Sequence, residues 1–317
     1  MFTVGIENTP GVWIALLTGA VLALLLGLLR CRKAGVSGGR TAAALLLAPL
    51  FTAFFSHLLY CLAQADYVLR VYSPVWLFAF WQPGYMFYGG LLGATLALLI
   101  AGGSQKGLLE AFAPSVALMI AAARIAEGFL GQGYGELWYD DPQWFCRFPF
   151  MNYDPENGYW AYAIFMAEAA VAILLLIVLL LKKKTFPGDG WLLLCGLYAS
   201  AQVVLESLRR DEFLRWGFVR VEEVFSGVVI LTVLLIYAIK AGRGRALAKT
   251  LCILVFLSMA VLCLLLEFAT EGRIPFLLFL EVYQCYLAMA GACCVMAGCV
   301  VWMRRICNTS TKTERAE

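Results

Sequence analysis

The sequence contains little charge and a single histidine. Of its 317 residues only 14% are charged, and no C-x-x-C pair accompanies His57. Zinc sites need several histidine or cysteine ligands at short spacings, so we expect no metal site and no cofactor. The sequence also lacks a P-loop, a G-x-S-x-G turn and an internal repeat. These absences argue against a P-loop nucleotide enzyme, an α/β-hydrolase and a transporter built from inverted halves.

Apolar residues, by contrast, are abundant. Hydrophobic types make up 62% of the chain and the mean hydropathy is +0.82, which excludes an ordinary soluble domain. A helix needs about 20 apolar residues to cross a hydrocarbon core of about 30 Å. Nine runs approach or exceed this length: 11–29, 41–62, 84–101, 108–130, 159–181, 190–208, 219–239, 247–268 and 275–303. The sequence therefore predicts an all-α, polytopic membrane protein.

The basic residues predict the orientation of these spans. They concentrate in alternate connections and in the C-terminal tail, where Lys and Arg are usually cytoplasmic. The N-terminus is therefore predicted outside and the C-terminus inside, and we attribute the net charge of +3 to anionic lipid head groups rather than to nucleic acid. These basic residues are Arg30, Arg32, Lys33 and Arg40; Lys106; Lys182, Lys183 and Lys184; Lys240, Arg243, Arg245 and Lys249; and Arg304, Arg305, Lys312 and Arg315.

Three segments outside the spans carry further predictions. Residues 1–10 lack the basic n-region of a signal peptide, so we expect a short external tail. Residues 131–158 are rich in aromatic and acidic types and predict a small external cap. Cys146 lies in this cap, whereas most of the other ten cysteines fall in apolar runs and predict small hydrophobic packing residues rather than a disulfide framework.

Ionisable residues inside a membrane span are costly and are candidates for function. Arg124 is preceded by several apolar turns, and Glu127 lies three residues later on the same helical face. This pair predicts either an ion pair that only helps packing or a guanidinium that binds an anionic group such as a phosphate. Glu168 has no basic neighbour in sequence, so we expect its partner to come from another span.

The end of the sixth span is also polar. Gln202, Glu206 and then Arg209 or Arg210 are spaced along one stripe of a helix. A solvated helix end would account for the two arginines but not for the two residues deeper in the span. In the second span His57 and Tyr60 share a face, and a core histidine with one hydrogen-bond partner is the more common interpretation.

The stretch GYMFYGGLLG, residues 84–93, begins the third span with four glycines and two tyrosines. Glycine at Gly89 and Gly93 has the small-xxx-small spacing of close helix packing. The same lack of side chains would let a ligand head group approach, and both interpretations stay open at this point.

These motifs together resemble those of the prolipoprotein diacylglyceryl transferases. GYMFYGGLLG, ARIAEGFLGQGYG, FMAEA and LYASAQVVLESLRRDEFLRWGFVRVEEVFS occur in the order and spacing of that family, and HLLYCL in the second span fits the same scheme. The resemblance covers about 11–239. It implies a seven-span core over 1–240, with 241–317 forming two additional spans and a cytoplasmic tail that have no counterpart in the family.

The resemblance implies transfer of a diacylglyceryl group from phosphatidylglycerol to the lipobox cysteine thiol of a preprolipoprotein, with glycerol phosphate released, in a bacterial inner (plasma) membrane. The expected partners are phosphatidylglycerol, the preprolipoprotein signal peptide and membrane lipid, with no nucleic acid. The residues that the resemblance implies are catalytic are Arg124, Tyr88 and Glu206. Those implied to bind substrate are Gly89, Gly90, Glu127, Glu168, Gln202, Arg209, Arg210, His57 and Tyr60.

Three positions depart from the family pattern. Tyr88 stands where the family has a histidine, Glu127 where it has an asparagine, and Gln202 where it has a second arginine. These departures leave two other functions open: a phospholipid-dependent transferase with another acceptor, and a catalytically silent protein that binds lipid or assists assembly.

Overall fold

The computed structural model describes residues 9–103, 107–154, 157–182, 185–211, 214–217, 219–242, 244–274, 277 and 279–313. Several residues that carry predictions lie outside these ranges: most of the N-terminal tail, Pro275 at the predicted start of the last span, and the basic residues Lys106, Lys183, Lys184, Arg243 and Arg315. Within the described ranges the helices are α1 (Thr9–Lys33), α2 (Gly38–Ala63), α3 (Ala65–Val71), α4 (Phe87–Gly102), α5 (Gly107–Phe129), α6 (Ile164–Leu181), α7 (Asp189–Leu208), α8 (Val221–Lys240), α9 (Ala246–Thr270) and α10 (Val282–Thr313).

The prediction of an all-α polytopic membrane protein is confirmed. Eight of these helices are long and apolar enough to cross a membrane. The helix of the third predicted run, α4, is apolar but has 16 residues, a length of about 24 Å. It begins at Phe87 rather than at position 84, because Gly84 adopts a φ of 106° that an α-helix does not contain.

Three other predicted boundaries are corrected. The run 159–181 becomes a helix only at Ile164, since Tyr159–Tyr162 is a strand, and the run 219–239 becomes helical at Val221. The helix of the last run, α10, begins at Val282 and extends to Thr313, ten residues beyond the predicted end. Gly291 and Gly298 lie inside this continuous helix.

Two small sheets interrupt the helical pattern. In the first, β1 (Leu137–Trp138), β2 (Met151–Asp154) and β3 (Tyr159–Tyr162) are antiparallel in the order β1–β3–β2, with Trp138 opposite Trp160. The second is the hairpin of β4 (Arg215–Trp216) and β5 (Val219–Arg220). Strands β1 and β2 lie within residues 131–158, the segment predicted to be a cap, and β3 follows directly after it.

The helices reverse direction from one span to the next, so their connections alternate between two ends of the bundle. One end, which we call the sheet end, holds the connections 64–86, 130–163, 209–220 and 271–281, with all the strands described above. The predicted orientation places the sheet end outside the membrane. The opposite end holds the short basic connections.

Glycines set the closest helix contacts. In the antiparallel pair α2 and α4, a Cβ atom on Gly89 would lie 2.3 Å from the carbonyl oxygen of Phe55, and one on Gly93 would lie 2.2 Å from that of Phe51. Backbone atoms cannot move aside as a flexible side chain can, so the two helices touch because these positions carry no side chain. Close packing therefore accounts for both glycines.

Polar contacts join the last helix, α10, to α7. At the opposite end, Arg304 of α10 donates hydrogen bonds to both carboxylate oxygens of Asp189 at the start of α7, at 2.7–3.0 Å. Lys182 also pairs with Asp189 at 3.0 Å and with Glu110 at 2.6 Å. At the sheet end the Tyr286 hydroxyl lies 3.5 Å from the carbonyl oxygen of Ser207. Helix α10 thus contacts α7 near both of its ends.

We predict that Gly93→Ala destabilises the protein by about 1–3 kcal/mol, because the added methyl would force α2 and α4 apart. The measurement is the thermal unfolding midpoint of the purified protein in detergent. Gly227→Ala is the matched control, since nothing lies within 4 Å of a Cβ at this helical position, and alanine should leave stability unchanged or raise it. Equal effects of the two substitutions would contradict the packing argument.

We predict that Arg304→Ala lowers the free energy of unfolding by about 1.5–3 kcal/mol, the contribution typical of hydrogen bonds to a charged group. The loss is limited to this range because Lys182 still neutralises Asp189. The control is Arg305→Ala, at the neighbouring exposed residue, which should have the thermal unfolding midpoint of the wild type. A wild-type midpoint for Arg304→Ala would show that the pair does not hold α10 to α7.

Candidate active site

Charged side chains from several elements meet inside the sheet end. They come from the last turns of α5, the first turns of α6 and α8, the end of α7 and the connection that follows it. We call this group the arginine–carboxylate cluster. Its members are Arg124, Glu127, Glu168, Glu206, Arg209, Asp211, Arg220 and Glu222, joined by ion pairs of 2.6–4.0 Å.

Arg124 lies on α5 with its side chain 3% exposed. Its Nη1 donates to both carboxylate oxygens of Glu127 at 2.8 Å, which confirms the predicted pairing on one helical face. Its Nε donates to the Tyr198 hydroxyl at 3.0 Å and lies 3.6 Å from Glu168. The guanidinium also stands 5.0 Å from the centre of the Phe87 ring, a cation–π distance. Arg124 therefore joins α4, α6 and α7 to its own helix.

Arg209 follows the last turn of α7 and is shared among acids of three elements. Its Nη2 donates to Asp211 at 2.6 Å, and its Nη1 donates to Glu127 at 3.2 Å and to Glu168 at 3.4 Å. Glu206, one turn earlier, lies 4.0 Å away. Arg209 and Arg124 thus hold the same two acids, Glu127 and Glu168, between them.

Arg220 is the third arginine and is 1% exposed. Its Nη1 donates to Glu206 at 3.2 Å and to Asp211 at 3.1 Å. Its Nη2 donates to the backbone carbonyl oxygens of Arg209 and Asp211. The connection from α7 to α8 therefore folds back on itself around this guanidinium.

Glu168 on α6 is fully buried, and its partners come from other helices, as predicted. Besides the two arginines it accepts a hydrogen bond of 2.5 Å from the side-chain amide of Gln202, which also donates to Glu206 at 3.4 Å. Both amide hydrogens of Gln202 are thereby directed at carboxylates. Its Oε1 atom has no hydrogen-bond partner, and neither has Nη2 of Arg124, although both are buried.

Asp211 anchors the cluster to the sheet end. Its carboxylate accepts a hydrogen bond of 3.0 Å from the Gly133 amide. Burial by itself opposes ionisation of this carboxyl, but Arg209, the Gly133 amide and Arg220 outweigh that effect and hold its pKa below its ordinary value. Asp211 is therefore charged at neutral pH.

Tyr88 on α4 lies beside the cluster rather than in it. Ser226 donates to the Glu222 carbonyl oxygen at 2.8 Å, so in the 2.5 Å contact between the two hydroxyls Tyr88 is the donor. The preceding amide, of Phe87, donates to the Glu222 carboxylate at 2.8 Å. Glu222 thus links α4 to Arg124, while the backbone beside Gly89 and Gly90 faces α2.

Three residues implied to bind substrate lie in other contacts. The two ring nitrogens of His57 each lie 3.0 Å from a carbonyl oxygen, of Gly84 and of Trp76, and so hold the connection between α2 and α4. Tyr60 packs against Gly84. Arg210 is half exposed and lies 3.6 Å from Glu136. The contacts described for His57 and Arg210 do not include a member of the arginine–carboxylate cluster.

Sequence reasoning missed three members of the cluster, Asp211, Arg220 and Glu222, and their neighbour Tyr198. All four lie within the last family-like stretch. Arg220 and Glu222 could have been found, because they are also ionisable residues at the start of an apolar run, whereas Tyr198 and Asp211 have no such second signal. Among the described residues no group of three or more His, Cys, Asp or Glu side chains is placed to hold a metal ion.

The family model described as prolipoprotein diacylglyceryl transferase matches residues 11–239, which include the whole cluster. The chain therefore belongs to the prolipoprotein diacylglyceryl transferase family. Helices α9 and α10 lie beyond the matched region.

Individual relatives within the family are distant. A protein of Shewanella sp. (strain ANA-3) named phosphatidylglycerol–prolipoprotein diacylglyceryl transferase is 28% identical over 173 residues, covering 52% of this chain and 62% of the relative. One of the same name from Oleidesulfovibrio alaskensis is 29% identical over 196 residues, covering 58% and 70%. A third, from Verminephrobacter eiseniae, is 38% identical over 90 residues, covering 27% and 32%. The chain thus spans less than two thirds of the length of the Shewanella transferase.

We predict that the stabilising effect of Asp211 depends on pH. Its lowered pKa means that its contribution is present at neutral pH and is lost as the pH falls below about 3.9, the ordinary aspartate value. The thermal midpoint of Asp211→Asn should therefore lie below that of the wild type at pH 7, and the gap should narrow below about pH 4. Asp141→Asn, at an exposed acid of the same end, should show no gap. If the difference in thermal midpoint between the wild type and Asp211→Asn stayed constant with pH, the stabilising effect of Asp211 would not depend on its charge.

Proposed function

We propose that this protein transfers a diacylglyceryl group from phosphatidylglycerol to the lipobox cysteine thiol of a preprolipoprotein. The observation that carries the proposal is the placement of three buried guanidinium groups at one end of the family-matched helices, where a lipid head group would lie. The names of the relatives give the donor and the acceptor. The proposed location is a bacterial inner membrane, with the sheet end outside.

In the proposed reaction the cysteine thiolate attacks the glyceryl carbon that bears the phosphate ester. A carbon–sulfur bond forms, the carbon–oxygen bond to phosphate breaks, and glycerol phosphate leaves. The thiol proton passes to a basic group, because the thiolate is the nucleophile. Arginine suits the leaving phosphate, since its planar fork can donate two hydrogen bonds to it as negative charge develops.

We assign residue roles on this basis. Arg124 and Arg209 hold the phosphate, and Arg124 offers the Nη2 atom that has no hydrogen-bond partner. Glu206, between Gln202 and Arg220, is the acid nearest the end of α7 and accepts the thiol proton. Tyr88, whose hydroxyl proton is engaged by Ser226, positions α4 against α8 beside the reacting atoms.

The first test is mass spectrometry of a lipobox peptide after incubation with the purified protein and phosphatidylglycerol. We expect a mass gain of one diacylglyceryl unit. Arg124→Ala should lower its rate by about 10²–10³-fold, the loss usual when one donor to a developing negative charge is removed. Arg32→Ala, at an exposed arginine near the end of α1, should keep the wild-type rate.

The proposal is wrong if the folded wild-type protein binds phosphatidylglycerol and yet gives no product. It is also wrong if Arg124→Ala reacts as fast as the wild type. Product formation by both wild type and Arg32→Ala, together with loss in Arg124→Ala, would exclude the silent lipid-binding alternative.

A further inference from the structure

The end of the bundle opposite the sheets contains a cavity of about 310 Å³. This volume falls at the lower end of the range of small-ligand sites, about 300–1,000 Å³. We call it the basic cavity. Its walls include Arg30 and Lys33 of α1, Glu110 of α5, and Thr185, Phe186 and Pro187 of the connection that precedes α7. None of these residues belongs to the arginine–carboxylate cluster.

The unpaired charge around the basic cavity is positive. Arg30 is half-buried and Lys33 is exposed. Among the residues that the structure describes, no carboxylate lies within 4.0 Å of either basic group. Glu110, an acid in the wall, is already paired, because Lys182 lies 2.6 Å from its carboxylate and the Gly190 amide donates to it at 2.6 Å. The two basic groups of α1 are therefore available to an anion.

An exposed apolar stripe on α1 leads to the basic cavity. Leu22, Leu25 and Leu29 are 49–56% exposed. They are spaced three and four residues apart, and Lys33 follows Leu29 by four more, so all four residues lie on one face of the helix. Because α1 is long and apolar enough to cross a membrane, this face adjoins acyl chains. The head group of a lipid that lies along the stripe would reach the cavity, whereas a soluble anion would make no use of the stripe.

We propose that the basic cavity binds the head group of an anionic phospholipid whose acyl chains lie along α1. The lipid phosphate accepts hydrogen bonds from Arg30 and Lys33. Phe186 and Pro187 provide an apolar wall for the glycerol backbone. Under the predicted orientation this lipid belongs to the inner leaflet, so it is bound at the end of the bundle away from the candidate active site. The bound lipid joins α1 to α5 and to the connection before α7, and this role does not depend on the proposed function.

The test is photolabelling of the purified protein in micelles of a neutral detergent. The probe is phosphatidylglycerol with a diazirine in one acyl chain, and mass spectrometry measures the labelled fraction of α1 as the mole fraction of the probe rises. We expect label on the stripe of Leu22, Leu25 and Leu29, and unlabelled phosphatidylglycerol should compete for it. Equal competition by phosphatidylcholine would show that the charge of the head group is not recognised. Equal competition by glycerol 3-phosphate would show that the acyl chains contribute nothing. Either result would overturn the inference.

Two double variants test whether the basic groups of the cavity hold the head group. A basic residue near an anionic lipid contributes about fivefold in affinity, so Arg30→Gln with Lys33→Gln should raise the half-saturating mole fraction of the probe about 25-fold. The matched control is Arg32→Gln with Arg305→Gln, which removes two charges from the same end but outside the cavity. It should label α1 at the wild-type mole fraction. Equal half-saturation of the two double variants would show that the cavity does not bind the head group.

Discussion

The sharing of three guanidinium groups among five carboxylates is the interaction on which the sheet end depends. A buried ion is tolerated only when it is paired, and removing one partner is more costly than the pair is stabilising. Arg124, Arg209 and Arg220 each bridge different elements, so the ends of α5, α6, α7 and α8 cannot separate without exposing an unpaired charge. The same ion pairs therefore determine both the geometry of the candidate site and the packing of the helix ends around it.

Much of the helical fold could be predicted, because hydropathy over about 20 residues reports directly on membrane crossing. The errors came where hydropathy is uninformative. Residues Tyr159–Tyr162 read as the start of an apolar helix, but their pairing with Leu137–Trp138 and Met151–Asp154 makes them a strand. Arg124 and Glu127 were predictable as a local pair. The role of Arg220 was not, because it depends on backbone carbonyl oxygens that a folded connection brings to it.

The glycine-rich stretch shows how one motif can serve the site indirectly. Gly89 and Gly93 let α4 lie directly on the backbone of α2, and this contact holds the first turns of α4 against α2. From there the Phe87 amide and the Tyr88 hydroxyl reach α8. Packing and function were alternatives at the level of sequence, whereas in the folded chain the packing places the residues that adjoin the cluster.

Helix α7 takes part in a buried charge network at each of its ends. Asp189 is held by Arg304 and Lys182, and Glu206, about 26 Å along the axis, is held by Arg220. Ion pairs at both ends oppose translation of α7 along its own axis, because movement in either direction would pull a carboxylate away from its cation. Under the proposed function, an opening that admits a lipid from the bilayer would therefore come from neighbouring helices moving apart sideways, while α7 stays in place.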